Sequence, residues 1–339
     1  MGVIARTGIS GGERVALERL GCRSEPDTGT FGYRSLHRLG FGPIARHVST
    51  GRPLAVAEIH TLLTKAPLAV LMKLVELRAS TTPVRPATPI VVLPLGQWGA
   101  LPPAAVVERA SALLTRIEYP ALQVFLDDLD LDRLGGELES IITAIAACRP
   151  GLTIVGPAAE DILTWLHGPR GRPAGVTLTG ITAALRAAGV HRLGASHELG
   201  AVQQIRSADF SGSLCLDLDR ARDPGALAAA IAATGSVAAS ERCIEVWFPG
   251  LSRESGRHCF PGVALDLLML RVLAIGTVAI PHVPYRRASN RYLSLDAVRV
   301  AHLFGANEFG FGAIDGLTAD VLELQSYERL REVRLPAGV

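Results

Sequence analysis

Residues 122–155, LQVFLDDLDLDRLGGELESIITAIAACRPGLTIV, hold the pattern on which the fold turns. A short apolar run, Leu122 to Leu126, is followed by the helical segment LESIITAIAAC and a second apolar run, Leu152 to Val155. Two continuous apolar runs joined by one helix predict two parallel strands buried on both faces. The same unit recurs in both directions. Further runs lie at Ile90 to Leu95, His191 to Ala195, Ser213 to Leu218, Cys243 to Phe248, Val278 to Val283 and Glu308 to Ala313. Helical segments such as VVERASALLTRI, AEDILTWL, ITAALRAAG, GALAAAIAATG and ALDLLMLRVLA stand between them. The last, LDAVRVAHLFG, ends in Gly305 as a helix C-cap does. Strands that alternate with helices in this way predict an α/β fold, a closed parallel (βα)8 TIM-type barrel over 88–316. An open dinucleotide-binding sheet is the second choice, because Leu95-Gly-Gln-Trp-Gly-Ala-Leu follows the first strand in place of GxGxxG.

Outside the barrel, 51–87 reads as a helical lead-in. Ile59, Leu62, Leu63, Val70, Leu71, Leu74 and Leu77 recur at helical spacing, which predicts two amphipathic helices hinged at Pro67. TTPVRPATP then breaks the helix. Residues 1–50 show no clean period and are expected to be irregular, and 317–339 form a C-terminal tail.

Composition excludes several function classes. The 339 residues are 48% apolar, with 34 basic against 32 acidic side chains and a formal charge of +2. No run of like charge marks a nucleic-acid partner. Only Lys65 and Lys73 are lysines, so arginine numbers reflect coding bias and are discounted. The five cysteines, at 22, 148, 215, 243 and 259, are scattered and contain no CxxC pair, which excludes a disulfide framework or zinc ribbon. MGVIARTGISGGER lacks the apolar core of a signal peptide, so a cytoplasmic location is expected. The most apolar stretch, Val263 to Val283, carries Asp266 and Arg271, so no membrane span is expected.

In a barrel the chemistry sits at the C-terminal ends of the strands. The polar residues just past the runs are therefore the candidates: Gln97 and Trp98, Asp127, Asp128 and Asp130, Glu160, Ser196 to Glu198, Asp217 and Asp219, and His282, Tyr285, Arg286 and Arg287. The DDLDLD group fits a divalent cation through its carboxylates, but Asp after a strand more often caps a helix. His282 in Pro-His-Val-Pro-Tyr suits an acid/base role as well as a plain hydrogen bond. Arg286 and Arg287 suit a carboxylate or phosphate clamp as well as a surface role. No metal site is expected from the sequence.

Three stretches carry a resemblance. They are RPLAVAEIHTLLTKAPLAVLMKLVELR, VTLTGITAALRAAGVHRLGASHELG and LLMLRVLAIGTVAIPHVPYRRASNRYLSLDAVRVAHLFGANEFGFGAIDG. Together they resemble the radical S-adenosylmethionine enzymes of the futalosine route to menaquinone, aminofutalosine synthase and cyclic dehypoxanthinyl futalosine synthase, and their relative FO synthase. The likeness implies a role for Glu198 at the ribose of S-adenosylmethionine, and Gln97, by its place just past strand 1, is a further candidate for binding the cofactor. It matches Asn307 and Glu308 to a family Asn-Asp pair, with one added methylene, and these two are expected to bind substrate; Trp98, Tyr285 and Arg286 are expected to do so from their places just past the strands.

The departure from that family is larger than the agreement. A radical enzyme of this type holds a 4Fe–4S cluster on a CxxxCxxC loop after strand 1, and this chain has no cysteine there. No iron–sulfur cluster is therefore expected, and reductive cleavage of S-adenosylmethionine by this chain alone is not expected either. The resemblance then implies a clusterless barrel in menaquinone metabolism. It would be a pseudoenzyme that binds a nucleoside-like or aromatic-acid ligand, or an auxiliary subunit paired with a radical homologue. The alternative is metal-assisted or acid/base chemistry at the barrel mouth, with Asp128 and His282 as the catalytic pair. A third reading has the mouth plugged by Trp98.

Overall fold

A computed structural model describes residues 33–81, 88–96, 98–115, 122–127, 129–133, 136–168, 176–196, 199–207, 213–215, 221–240, 245–247, 260, 263–280, 286–289 and 293–312. Eight parallel strands form a closed sheet in chain order, and the eighth pairs back with the first. They are β1 (Thr88–Pro94), β2 (Leu122–Asp127), β3 (Leu152–Ala158), β4 (Val190–Ser196), β5 (Ser213–Cys215), β6 (Glu245–Trp247), β7 (Arg286–Ser289) and β8 (Glu308–Gly312). Among the described residues four helices precede the sheet: α1 (Tyr33–Arg38), α2 (Gly42–Ser49), α3 (Val56–Lys65) and α4 (Leu68–Ala79). Within the barrel run α5 (Pro103–Leu114), α6 (Glu137–Ala147), α7 (Ala159–His167), α8 (Leu178–Ala187), α9 (Leu199–Ser207), α10 (Pro224–Ser240), α11 (Leu265–Ala279) and α12 (Leu295–Val300).

Two apolar layers surround the sheet. Outward-facing Val91, Leu93, Val124, Leu126, Ile154 and Leu193 meet α5 to α9 in one. In the other, α3 and α4 pack on α10 and α11 through Ile59, Leu62, Leu71, Leu74, Ile231 and Leu273. Arg271 on α11 locks this second layer. Its Nη1 donates to the carbonyls of Leu62, Leu63 and Ala66 at 3.2, 3.2 and 2.7 Å. Those carbonyls lie at the C-terminal end of α3, where a cation also meets the negative end of the helix dipole. Burial in turn lowers the Arg271 pKa.

Two expectations are corrected. Val278 to Ile280, the described part of the expected seventh strand, is not a strand: α11 continues through Ala279, and the Ile280 N–H still donates to the Gly276 carbonyl at 2.9 Å. A continuous apolar run fits a helix buried all round as well as a strand, and Leu268 to Ala279 is buried at every position except Arg271. The strand is instead Arg286–Ser289. His282 and Tyr285, expected just beyond strand 7, therefore precede it in the chain and lie outside the described residues. The second correction concerns 1–50, where α1 and α2 replace part of the expected irregular segment. Helices of six and eight residues are too short to show a period of their own.

The turn at Gly305 is as the sequence predicts. Gly305 has φ +95° after the 3-10 turn Ala301–Phe304, and β8 begins three residues later.

Candidate functional site

The C-terminal ends of the strands form the mouth. After β1 the chain makes a compact turn in which the Gly99 N–H donates to Gly96 at 3.2 Å and the Leu101 N–H to Trp98 at 2.8 Å. Trp98, expected to bind substrate or to plug the mouth, is only 6% exposed and belongs to the apolar layer outside the sheet. Beside this turn a cleft of about 140 Å³ is lined by Leu95, Gly96, Gly99, Val106, Asp130 and Arg133 among others. Ligand pockets run from roughly 300 to 1,000 Å³, so this cleft is too small for a nucleoside.

The described acidic residues after β2 are engaged locally. Asp130 Oδ1 accepts from the Asp132 N–H at 3.1 Å, and Asp132 Oδ1 accepts from the Trp165 indole at 2.8 Å. Among the described residues no group of three or more His, Cys, Asp or Glu side chains is placed to hold a metal ion. Farther round the mouth, the Ser196 hydroxyl at the end of β4 donates to Glu160 Oε2 of α7 at 3.3 Å, and Ser196 is fully buried. Asp128, Gln97 and Glu198 lie outside the described residues.

The iron–sulfur cluster of the family that the sequence resembles does not fit the turn after β1. No thiol stands in the turn after β1, and Cys148, the described free cysteine, caps α6 with its Sγ 3.2 Å from the Ala144 carbonyl.

The N-terminal ends of the strands form the floor, and here charge is concentrated. Glu308 opens β8, Gln123 is the second residue of β2 and Arg192 the third of β4. Gln123 Nε2 donates to Glu308 Oε1 at 2.5 Å, and Arg192 Nη2 donates to the same oxygen at 2.9 Å and to Gln123 Oε1. These strands are not neighbours in the sheet, so the three side chains meet across the lumen. All come from even-numbered strands, which is how a barrel builds one interior layer. Glu308 is 1% exposed. It thus sits in a closed layer at the floor, paired with Arg192.

Asn307, expected to bind substrate, lies against β7. Its Oδ1 accepts from the Arg286 N–H at 2.7 Å, and its own N–H donates to the Arg286 carbonyl at 3.0 Å. The structure therefore brings Asn307, Glu308 and Arg286 together, but at the floor. Burial, and then the charge of Arg78, push the Arg286 pKa down to about 10.

Sequence reading missed Gln123, Arg192 and Arg78. Gln123 and Arg192 are single polar residues in apolar strands, and strand alternation is the signal that assigns such positions to the lumen. Arg78 ends an amphipathic helix, where an arginine normally reaches solvent, yet it is 2% exposed.

No protein-family model matches the chain, and no curated protein matches it. Solved structures do. The FeFe-hydrogenase maturase HydG from Carboxydothermus hydrogenoformans aligns at TM-score 0.58 and 12% identity, covering 94% of this chain and 82% of that one. A second structure of HydG, a maturase of the FeFe-hydrogenase, gives 0.56 at 12% identity, covering 89% and 72%. Methylornithine synthase (PylB) gives 0.53 at 12% identity, covering 79% and 85%. At these identities the likeness is one of fold alone, an α/β fold with a parallel sheet and surrounding helices.

Proposed function

We propose that this chain is a clusterless radical-S-adenosylmethionine-like barrel, related to the futalosine-pathway enzymes of menaquinone synthesis. It acts as a ligand-binding protein or as an auxiliary subunit of a cysteine-bearing homologue. The carrying observation is the turn after β1. Where the cluster loop belongs, the chain has no thiol, and Trp98 anchors the turn in the outer apolar layer. A loop fixed in this way cannot wrap a cluster without pulling a large aromatic side chain out of its core.

The ligand would enter at the mouth. Glu160 and Ser196 meet there, and Glu198 follows two residues later in the chain. A nucleoside offers hydroxyls that such carboxylates accept, and Glu198 is the residue the family resemblance assigns to a ribose.

The test has two arms. Anaerobic incubation with iron and sulfide is expected to leave the protein without thiolate-to-iron absorbance, and appearance of that band defeats the proposal. Calorimetry with an aminofutalosine-type nucleoside is expected to show binding that Glu198→Gln weakens on the order of tenfold, the loss of one charge-assisted hydrogen bond. Unchanged affinity in that variant defeats the assignment of the mouth.

A further inference from the structure

The cleft beside the turn after β1 carries charge of both signs on apolar walls. Leu95 just past β1, Val106 of α5, and Leu138 and Ile141 of α6 line it, and all four are buried. Asp130 and Arg133 line it as well. The 3-10 turn Leu131–Arg133 sets these two side by side, with the Arg133 N–H donating to the Asp130 carbonyl at 3.2 Å.

Both charged groups are held in place with capacity to spare. Arg133 Nε and Nη2 donate to Glu137 Oε2 at 3.1 and 2.6 Å, and Nη1 reaches the Gly99 carbonyl at 3.4 Å. That last contact is long, and among the described residues nothing accepts from the remaining N–H groups of the guanidinium. Asp130 Oδ1 accepts from the Asp132 N–H at 3.1 Å, and among the described residues its Oδ2 has no partner. The Arg133 side chain is 23% exposed and Asp130 is exposed, so a ligand reaches both from solvent.

Size and charge together limit the occupant. At about 140 Å³ the cleft is close to an apolar cavity of roughly 150 Å³ that accepts a benzene ring, which leaves room for one branched aliphatic side chain. A lone anion fits poorly, because Glu137 already balances Arg133 and Asp130 adds negative charge. A lone cation would leave the spare N–H groups of Arg133 unanswered. A zwitterion with an apolar side chain meets both charges and fills the walls.

We propose that this cleft binds an apolar α-amino acid of the size of leucine. Its ammonium would lie on Asp130, its carboxylate on Arg133, and its side chain among Leu95, Val106, Leu138 and Ile141. The site is lined from α5 and α6, outside the sheet, and stands whether or not the mouth binds a nucleoside. An occupied site would tie the turn after β1 to α6.

The test is calorimetry and thermal melting of the full chain with L-leucine, its decarboxylated analogue 3-methylbutylamine, its deaminated analogue 4-methylpentanoate, and L-tryptophan. L-leucine is expected to bind saturably and raise Tm. Asp130→Asn and Arg133→Met should each weaken it on the order of tenfold, the effect of one charge-assisted contact. Asp130→Asn, at an exposed position, serves alone if Arg133→Met fails to fold. Either analogue binding as tightly as L-leucine overturns the assignment of the two charged groups, and L-tryptophan binding as tightly overturns the size. No saturable binding of L-leucine, or binding that both variants leave unchanged, overturns the site.

Discussion

The two ends of the barrel differ in what their polar residues do. At the floor, Gln123, Arg192 and Glu308 are closed on one another across the lumen. At the mouth, the Ser196 hydroxyl makes a long contact with Glu160 at 3.3 Å. The floor network serves architecture, because every charge in it faces another member. The mouth contact joins the end of β4 to the start of α7 with a weaker, longer hydrogen bond. A barrel that divides its polar residues in this way can change its chemistry at one end without risking its fold at the other.

Three substitutions sharpen this contrast. The largest effect is expected at the floor, where Glu308→Ala strands Arg192 and costs about 3–5 kcal/mol in urea unfolding. Replacing Gln123, Arg192 and Glu308 together with leucine or methionine should restore most of that loss, because the cost lies in the unpaired charge rather than in the pair. A triple variant as unstable as the single one would show that the layer contributes more than charge compensation.

Next comes Trp98→Ala. Removing a large side chain from the outer apolar layer should cost about 3 kcal/mol or more by thermal unfolding while leaving affinity for a nucleoside ligand unchanged. Loss of affinity in a variant that remains folded would return Trp98 to the substrate-binding role expected from sequence.

The smallest stability effect is expected at the mouth. Ser196→Ala removes one long hydrogen bond and should change stability by about 1 kcal/mol or less. Its effect on ligand affinity should exceed its effect on stability, the reverse of Trp98→Ala. Equal effects would remove the functional distinction between the two ends.

The strands with strong local signals were readable from sequence alone. β2 and β8 start at the residues expected, and the Gly305 turn ahead of β8 follows from the left-handed backbone that glycine alone adopts cheaply. Strand 7 was not readable, since the apolar run preceding it belongs to a helix buried on all sides. The floor network was hidden for another reason. Arg192 and Glu308 are 116 residues apart in the chain, and only closure of the sheet brings them together. Arg78 was hidden by composition, because in a chain with two lysines an arginine at a helix end carries no signal of its own.

Arg271 has a practical consequence for anyone who cuts this chain. Its guanidinium reaches from α11 to the last carbonyls of α3, and the same apolar layer joins α3 and α4 to α10 and α11. A fragment beginning at the first strand would present that layer to water and leave a half-buried cation without its acceptors. Such a fragment should aggregate on expression, and a usable truncation has to keep the helices from residue 33 onward.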